Sequence, residues 1–435
     1  MNFLEGVIFP PRPDHLILAK LFLVLISVVF VSFFSLLFGG TSLSLIYNRL
    51  GKSEEKPMFF KFSKDLLHRL TGNFWISLLL VLLPVFTLMI SYGELLYDSN
   101  IKILQYFSYF IIHLLIGLVL VYWYKGGLSA EKPVSGPRMF SGVLGVLFLL
   151  GAAYIFVMGT TLVLDPEKWG FIKTVYPFFF YSMNSFARFF LFLTVMFGFT
   201  GVGILFLLLN WNRQDGQDEN YRKYVRRFGV TLALSFTFLQ PVFFLWNVVN
   251  LPMVARSFSV YASGVVVIVL LFLLSLILYN LMIKPASSSG SVAFVFFILV
   301  LFGYNGFDHF ARETALREHN LVLLKDAQEA EATKAAAKAQ FMPKNEESDL
   351  KIGENLFKTK CSACHRFDMK VVGPAYKDVL PKYKGHMDKL AAFILNPVKV
   401  NPALPPMPNQ GLTPKEAQAA AKYIMHRFET EFEHK

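Results

Sequence analysis

The sequence predicts an all-α protein with a polytopic helical membrane domain and a small polar domain at the C-terminus. Of its 435 residues, 54% are hydrophobic and only 17% are charged, and phenylalanine alone accounts for 47. This composition is too apolar for a single water-soluble domain. The last fifth of the chain is polar and rich in lysine instead. We therefore expect a membrane domain over residues 1–310, a helical stalk and hinge over 311–349, and a small domain over 350–435.

Eight apolar segments are each near or above the length of about 20 residues that a helix needs to cross a bilayer. They cover residues 16–46, 71–96, 103–124, 139–164, 180–210, 228–251, 258–283 and 291–309. The first fifteen residues lack a basic segment ahead of a short apolar core, so we expect no cleaved signal peptide. Glycines in the first and fifth segments are interpreted as sites of close helix packing.

Basic residues are concentrated in alternate connections between the predicted spans. The connections after spans one, three and five contain Arg49, Lys52, Lys56, Lys61, Lys64, Arg69, Lys125, Lys132, Arg138, Arg213, Arg222, Lys223, Arg226 and Arg227. The positive-inside rule places these connections in the cytoplasm, so eight spans leave both termini outside it. Much of the net charge of +12 then lies in these cytoplasmic connections, where it would face anionic lipid. We therefore expect no nucleic-acid partner.

Several polar side chains lie within the predicted spans, where each is costly. They are Glu94, His113, Asn184, Arg188, Asp308 and His309. One interpretation is a b-type haem or a quinol site, and the other is hydrogen bonding between neighbouring helices. A bis-histidine haem needs two histidines at one depth, and His113 has no such partner. Ligation by His113 together with Met89, Met158 or Met196 stays open, but we expect no b haem.

The clearest chemical signal is Cys361-Ser362-Ala363-Cys364-His365, which has the C-x-x-C-H spacing of a c-type haem attachment site. The two thiols would form thioether bonds to one haem, and the imidazole of His365 would bind the iron. A redox dithiol or half of a zinc site could also use a C-x-x-C pair. The chain has no other cysteines to complete a zinc site, and a dithiol does not need the histidine.

A histidine-ligated iron often takes a methionine sulfur as its sixth ligand. Met407 lies in the run Pro405-Pro406-Met407-Pro408, where prolines stiffen the backbone. Met369 and Met387 are competitors outside any proline-rich loop, and Met407 could also simply fill a core gap. Thr413-Pro414-Lys415-Glu416 then predicts a capping box at the start of the last helix, which should end near Phe428.

Residues 350–430 resemble a small bacterial class I cytochrome c. The shared features are Gly353, Phe357, the C-x-x-C-H motif, Gly373-Pro374, the Met-Pro loop and Tyr423 in the terminal helix. The resemblance implies that His365 and Met407 are the axial ligands of the iron. It also implies that the carbonyl of Pro374 accepts the second ring N–H of His365, a contact that orients the ligand.

The membrane part more weakly resembles proteins related to cytochrome bd oxidase subunit I that carry a fused cytochrome c. The resemblance depends on span spacing, on the 75–92 segment with Pro84, and on the Asn184–Arg188 helix. That family has a histidine ligand early in its first helices and a long quinol-binding loop. Span one contains no histidine and no comparable loop is present, so the resemblance suggests ancestry rather than oxidase activity.

Residues 312–340 are polar and alanine-rich, which predicts a helix of about 30 residues and roughly 45 Å. Residues 341–349, with Pro343, are expected to form a hinge.

The sequence thus favours an electron-transfer subunit anchored in the bacterial inner membrane by several spans. Its C-terminal domain would carry one covalent haem c in the periplasm. Its expected partners are the lipid bilayer, other subunits of a respiratory or redox complex, and a periplasmic electron donor or acceptor protein. No catalytic residue is predicted. The alternatives are a quinol-oxidising or oxygen-reducing membrane enzyme and a structural scaffold.

Overall fold

A computed structural model describes residues 12–99, 101, 103–171, 182–211, 218–283, 289–340, 346–400, 402 and 404–432. The regular structure over these ranges is helical, with one isolated bridge between His365 and Lys370. The all-α prediction is therefore confirmed. The chain forms two compact units, Met1–Gln328 and Glu329–Lys435.

The first unit is a bundle of long helices. Its helices are α1 Pro13–Ser53, α2 Pro57–Leu70, α3 Phe74–Leu95, α4 Ile103–Lys125, α5 Gly136–Leu162, α6 Met183–Gly203, α7 Glu219–Val249, α8 Phe258–Ile283 and α9 Ser289–Ala315. Helix α6 continues as a π-helical segment, Ile204–Trp211. Within the described ranges, eight of these helices, all except α2, are long and apolar enough to cross a membrane. The predicted number of spans is confirmed.

Helix α2 occupies the basic connection after span one, where no helix is predicted from the sequence. Its apolar face is buried, with Phe62 and Leu66 fully inaccessible to solvent. The connection from α2 to α3 is held by Lys125, whose Nζ donates to the Thr71 hydroxyl at 3.0 Å and also to backbone carbonyls. This connection is therefore packed against the bundle.

Helices α6 and α7 approach closely where glycine replaces a side chain. A Cβ atom on Gly201 would lie 2.5 Å from the backbone nitrogen of Ala233. The hydroxyl of Thr200, next to Gly201, donates across to the carbonyl of Ser35 in α1 at 2.8 Å. For Gly201, the interpretation of the glycines in the fifth span as sites of close helix packing is confirmed.

The segment between the predicted domains differs in detail from expectation. Helix α9 ends at Ala315 and α10 covers Arg317–Gln340, so the expected helix of about 30 residues is two helices with a break. The division between the two compact units falls inside α10. Residues 341–345 of the expected hinge lie outside the described residues. The three-part domain division therefore stays a prediction.

The second unit contains α11 Glu346–Leu356, α12 Tyr376–Val379, α13 Met387–Leu395 and α14 Pro414–Glu431. Helix α11 continues as a π-helical segment, Phe357–Cys361, and packs against α14. The ring centroids of Phe357 and Tyr423 are 5.7 Å apart in that contact. Thr413 and Glu416 form both hydrogen bonds of the expected capping box at the start of α14.

Candidate functional site

The Cys361–His365 segment forms a tight turn at the end of the π-helical segment. The backbone N–H groups of Cys364 and His365 both donate to the carbonyl of Cys361, at 3.1 and 3.0 Å. Cys361 is buried and Cys364 is half-buried. The turn therefore holds both thiols and the imidazole on one short segment of backbone.

The imidazole of His365 is oriented by the loop that follows the motif. Its Nδ1 lies 3.1 Å from the carbonyl oxygen of Pro374. Because a carbonyl can only accept, Nδ1 carries the ring proton and Nε2 keeps a lone pair for a metal. The ring stacks on Tyr376 with centroids 5.0 Å apart and an interplanar angle of 4°. A Cβ atom on Gly373 would collide with the imidazole, so only glycine leaves room for the ring.

A cavity of about 250 Å³ lies beside this imidazole. Cys364, His365 and Met407 all line it. Most of the remaining wall is apolar and includes Val372, Val379, Leu390, Phe393, Ile394 and Ile424. The competing methionines, Met369 and Met387, are not part of the wall and are 50% and 39% exposed. The structure thus brings Met407, of the three methionines, to the same cavity as His365.

The donor groups that line this cavity, together with the Cys361 thiol three residues before Cys364, fit a c-type haem. Thiols, an imidazole with a free Nε2 and a thioether are the groups that hold such a haem, and the apolar wall suits its macrocycle. Within the described part of the chain, no cluster of three His, Cys, Asp or Glu side chains could hold a bare metal ion. Cys361 and Cys364 would hold the macrocycle, and His365 and Met407 would bind its iron.

The electrostatics of Cys361 do not favour a redox dithiol. Burial raises the pKa of the Cys361 thiol, and the neighbouring Cys364 adds to that shift. A reactive dithiol needs the opposite, a lowered pKa that provides the thiolate. The buried thiol is therefore suited to a structural or covalent role.

The structure places Asn184 and Arg188 of the membrane unit in contacts between helices, whereas His113 bonds within its own helix. Arg188 of α6 forms two parallel hydrogen bonds to Asp308 of α9, both 2.8 Å long. Asn184 donates to the side-chain oxygen of Asn247 in α7 at 2.8 Å. His113 binds a carbonyl of its own helix, that of Tyr109, through Nδ1 at 2.8 Å. Helix-to-helix hydrogen bonding therefore accounts for Asn184 and Arg188.

Sequence reasoning missed two parts of these sites. Tyr376 was not predicted to stack on His365, because the two residues are eleven positions apart across an irregular loop, which leaves no periodic signal. The pairing of Arg188 with Asp308 was not predicted either, since the two residues are 120 positions apart.

The fold and the site together define a c-type cytochrome domain joined to a helical membrane protein. Residues 348–424 match the family of cytochrome c oxidase, cbb3-type, subunit III. Cytochrome c-551 of Pseudomonas denitrificans is 44% identical over 78 residues, which are 17% of this chain and 94% of that protein. Cytochrome c-552 of Hydrogenobacter thermophilus is 39% identical over 77 residues, 17% of this chain and 78% of that protein.

Through its C-terminal domain, this chain belongs to the family of these c-type cytochromes. The resemblance to a class I cytochrome c is confirmed, and with it a c-type haem and haem-based electron transfer. The comparisons give no support to the resemblance to cytochrome bd oxidase subunit I. No solved structure matches this chain.

Proposed function

We propose that this protein is an electron-transfer subunit anchored in the bacterial inner membrane. Its C-terminal domain would carry one covalent c haem in the periplasm. The observation that carries the proposal is the apolar cavity that Cys364, His365 and Met407 all line. The eight apolar helices would anchor the chain in the inner membrane. The bound haem supplies a reversible one-electron step between ferric and ferrous iron.

The residues of the chain would set the properties of that step. Cys361 and Cys364 would tether the macrocycle, so it would stay bound whatever the state of the axial ligands. The Pro374 carbonyl and the Tyr376 ring hold the imidazole of His365 in one orientation and one tautomer. The apolar wall excludes water, and exclusion of water is one of the factors that set a haem reduction potential.

The protein would exchange electrons with other redox proteins. Its C-terminal domain is similar to a family named for a subunit of a cbb3-type oxidase, which supports membership of a multisubunit membrane complex. The sequence predicts no second redox group in the helical region. We therefore infer that electrons reach or leave the c haem through a partner subunit and a periplasmic donor or acceptor protein.

Haem stoichiometry of the purified full-length protein tests this proposal. Reduced spectra in alkaline pyridine should show one c haem and no b haem per chain, and the haem should survive a denaturing gel. The double variant Cys361→Ala and Cys364→Ala should lose the gel-stable haem, whereas His113→Ala should keep it. A b-haem signal near one per chain, lost in His113→Ala, would reject the proposal and favour the quinol enzyme.

A further inference from the structure

The membrane unit contains a cavity of about 100 Å³, distinct from the haem site. It lies among six helices, α1, α3, α5, α6, α7 and α9, which all contribute to its wall. One part of the wall is apolar and includes Val31, Phe156 and Leu301. The other part is polar and includes Tyr92, Arg188, Asn247, Asn305, Asp308 and Arg312. The cavity is therefore amphipathic and lies within the apolar bundle.

The charges on the described wall do not cancel. Arg188 and Asp308 neutralise each other through their two hydrogen bonds of 2.8 Å. Among the residues that the structure describes in the wall, that pairing leaves Arg312 as the remaining charged side chain. The adjacent carboxylate, Glu313, is paired with Lys20 of α1 at 2.9 Å. The polar end of the cavity thus has a net positive charge.

Arg312 is deeply buried and incompletely bonded. It is 6% exposed. Its Nη1 donates to the hydroxyl of Tyr92 at 3.4 Å, and its guanidinium carbon lies 5.9 Å from the centroid of that ring. Its Nη2 is buried and finds no acceptor in the part of the chain that the structure describes. The carbonyls at the end of α9 offset only part of the charge, because a helix terminus carries about half a unit charge.

An unpaired buried guanidinium is unfavourable unless an anion or hydrogen-bond acceptor completes it. We propose that this cavity binds a small oxyanion, of carboxylate or phosphate type, that accepts from Nη2 of Arg312. A planar guanidinium matches the oxygen spacing of both groups. The volume is below the roughly 150 Å³ of an apolar cavity that admits benzene, so the enclosed group is compact. The oxyanion could come from the headgroup of an anionic phospholipid or from a free small anion.

Thermal unfolding of the haem-loaded full-length protein tests the site. The protein is delipidated in a neutral detergent and titrated with sodium formate or sodium phosphate against sodium chloride at constant ionic strength. Wild type should be stabilised saturably by the oxyanion, and Arg312→Gln should lose at least tenfold in apparent affinity. Arg317→Gln removes the same charge from an exposed position five residues later and should respond as wild type.

A second arm identifies the source of the oxyanion. Protein in nanodiscs of phosphatidylglycerol is compared with protein in phosphatidylcholine, and retained lipid is measured by native mass spectrometry. Lipid retention that requires Arg312 assigns the site to a phospholipid headgroup, and a response to formate or phosphate alone assigns it to a free anion. If Arg312→Gln does not fold, Arg312→Lys keeps the charge, loses the planar fork and should bind more weakly than wild type. The proposed site would be ruled out if wild type and the folded Arg312 variant were stabilised equally by the oxyanion and retained lipid equally. It would also be ruled out if neither the titration nor the nanodisc experiment showed saturable binding.

Discussion

Two contacts position the imidazole of His365 in the cavity wall, and a glycine leaves room for it. The carbonyl of Pro374 accepts its Nδ1 proton, Tyr376 stacks on one face, and Gly373 leaves space for the ring. The hydrogen bond to Pro374 fixes the tautomer and the stacking on Tyr376 limits the tilt of the ring, whereas any side chain at position 373 would displace it. A ligand fixed in this way presents Nε2 in one direction, which favours a single low-strain coordination geometry for iron.

Replacement of Met407 tests the sixth ligand. Met407→Ala should keep the covalent haem, because Cys361 and Cys364 still hold it. The ferric protein should lose its methionine–iron charge-transfer band, and the reduction potential should fall because a methionine ligand raises it. Met369→Ala is the matched control, since Met369 is 50% exposed and outside the cavity wall. An unaltered spectrum and potential in Met407→Ala would show that the sulfur is not a ligand.

Substitution of Gly373 tests how the imidazole is positioned. In Gly373→Ala the new methyl group would overlap the ring of His365 and force it away from Pro374. Overpacking of this kind costs about 1–3 kcal/mol, so the denaturant midpoint followed by haem absorbance should fall. The reduction potential should also shift, because the hydrogen bond to Nδ1 is weakened. Val371→Ala is the control, because this neighbouring side chain is 44% exposed, and it should change neither the denaturant midpoint nor the reduction potential. Similar changes in the two variants would contradict the positioning role of Gly373.

At the scale of single elements, α14 depends on its first turn. Thr413 accepts from the backbone N–H of Glu416, and the Glu416 side chain accepts from the backbone N–H of Thr413 at 2.8 Å. The helix also supplies Ile424, which is buried and lines the haem cavity. Stability of the first turn is therefore linked to the shape of the cavity wall.

Removal of the cap should be measurable in the whole protein. Thr413→Ala should lower the free energy of unfolding of the haem domain by about 1 kcal/mol, because a backbone N–H loses its acceptor. Denaturant titration followed by haem absorbance measures this change. Thr430→Ala is the control, because Thr430 is exposed near the end of the same helix and its hydroxyl bonds to carbonyls of that helix. An equal loss of unfolding free energy in the two variants would mean that the capping hydrogen bond does not itself stabilise the domain.

The elements that the sequence predicted well have strong local signals. The capping box of α14 is encoded within four consecutive residues, and the eight spans are encoded by long apolar runs. Helix α2 was missed because its apolar face is interleaved with Lys61, Lys64 and Arg69, so average apolarity is low. The break after Ala315 was missed because residues on both sides of it are good helix formers.

At the scale of the whole molecule, long-range pairing limits what the sequence can reveal. The haem motif is local, so Cys361, Cys364 and His365 could be proposed from spacing alone. The amphipathic cavity depends on Tyr92, Arg188 and Arg312, which come from three helices far apart in the chain. Apolar spans all satisfy the same composition rule, so composition cannot specify which helices are neighbours or which polar groups meet.

The distribution of charge predicts the orientation of the whole chain. Basic connections after spans one, three and five should face the cytoplasm, which puts Lys435 on the periplasmic side. A phosphatase reporter fused after Lys435 should therefore be active. A fusion at Asp215, in the connection after α6 and outside the described residues, should be silent. Cytoplasmic β-galactosidase fusions at the same two positions provide the reciprocal control. The opposite pattern would contradict the orientation and place the haem domain in the cytoplasm, where the proposed periplasmic electron partner could not reach it.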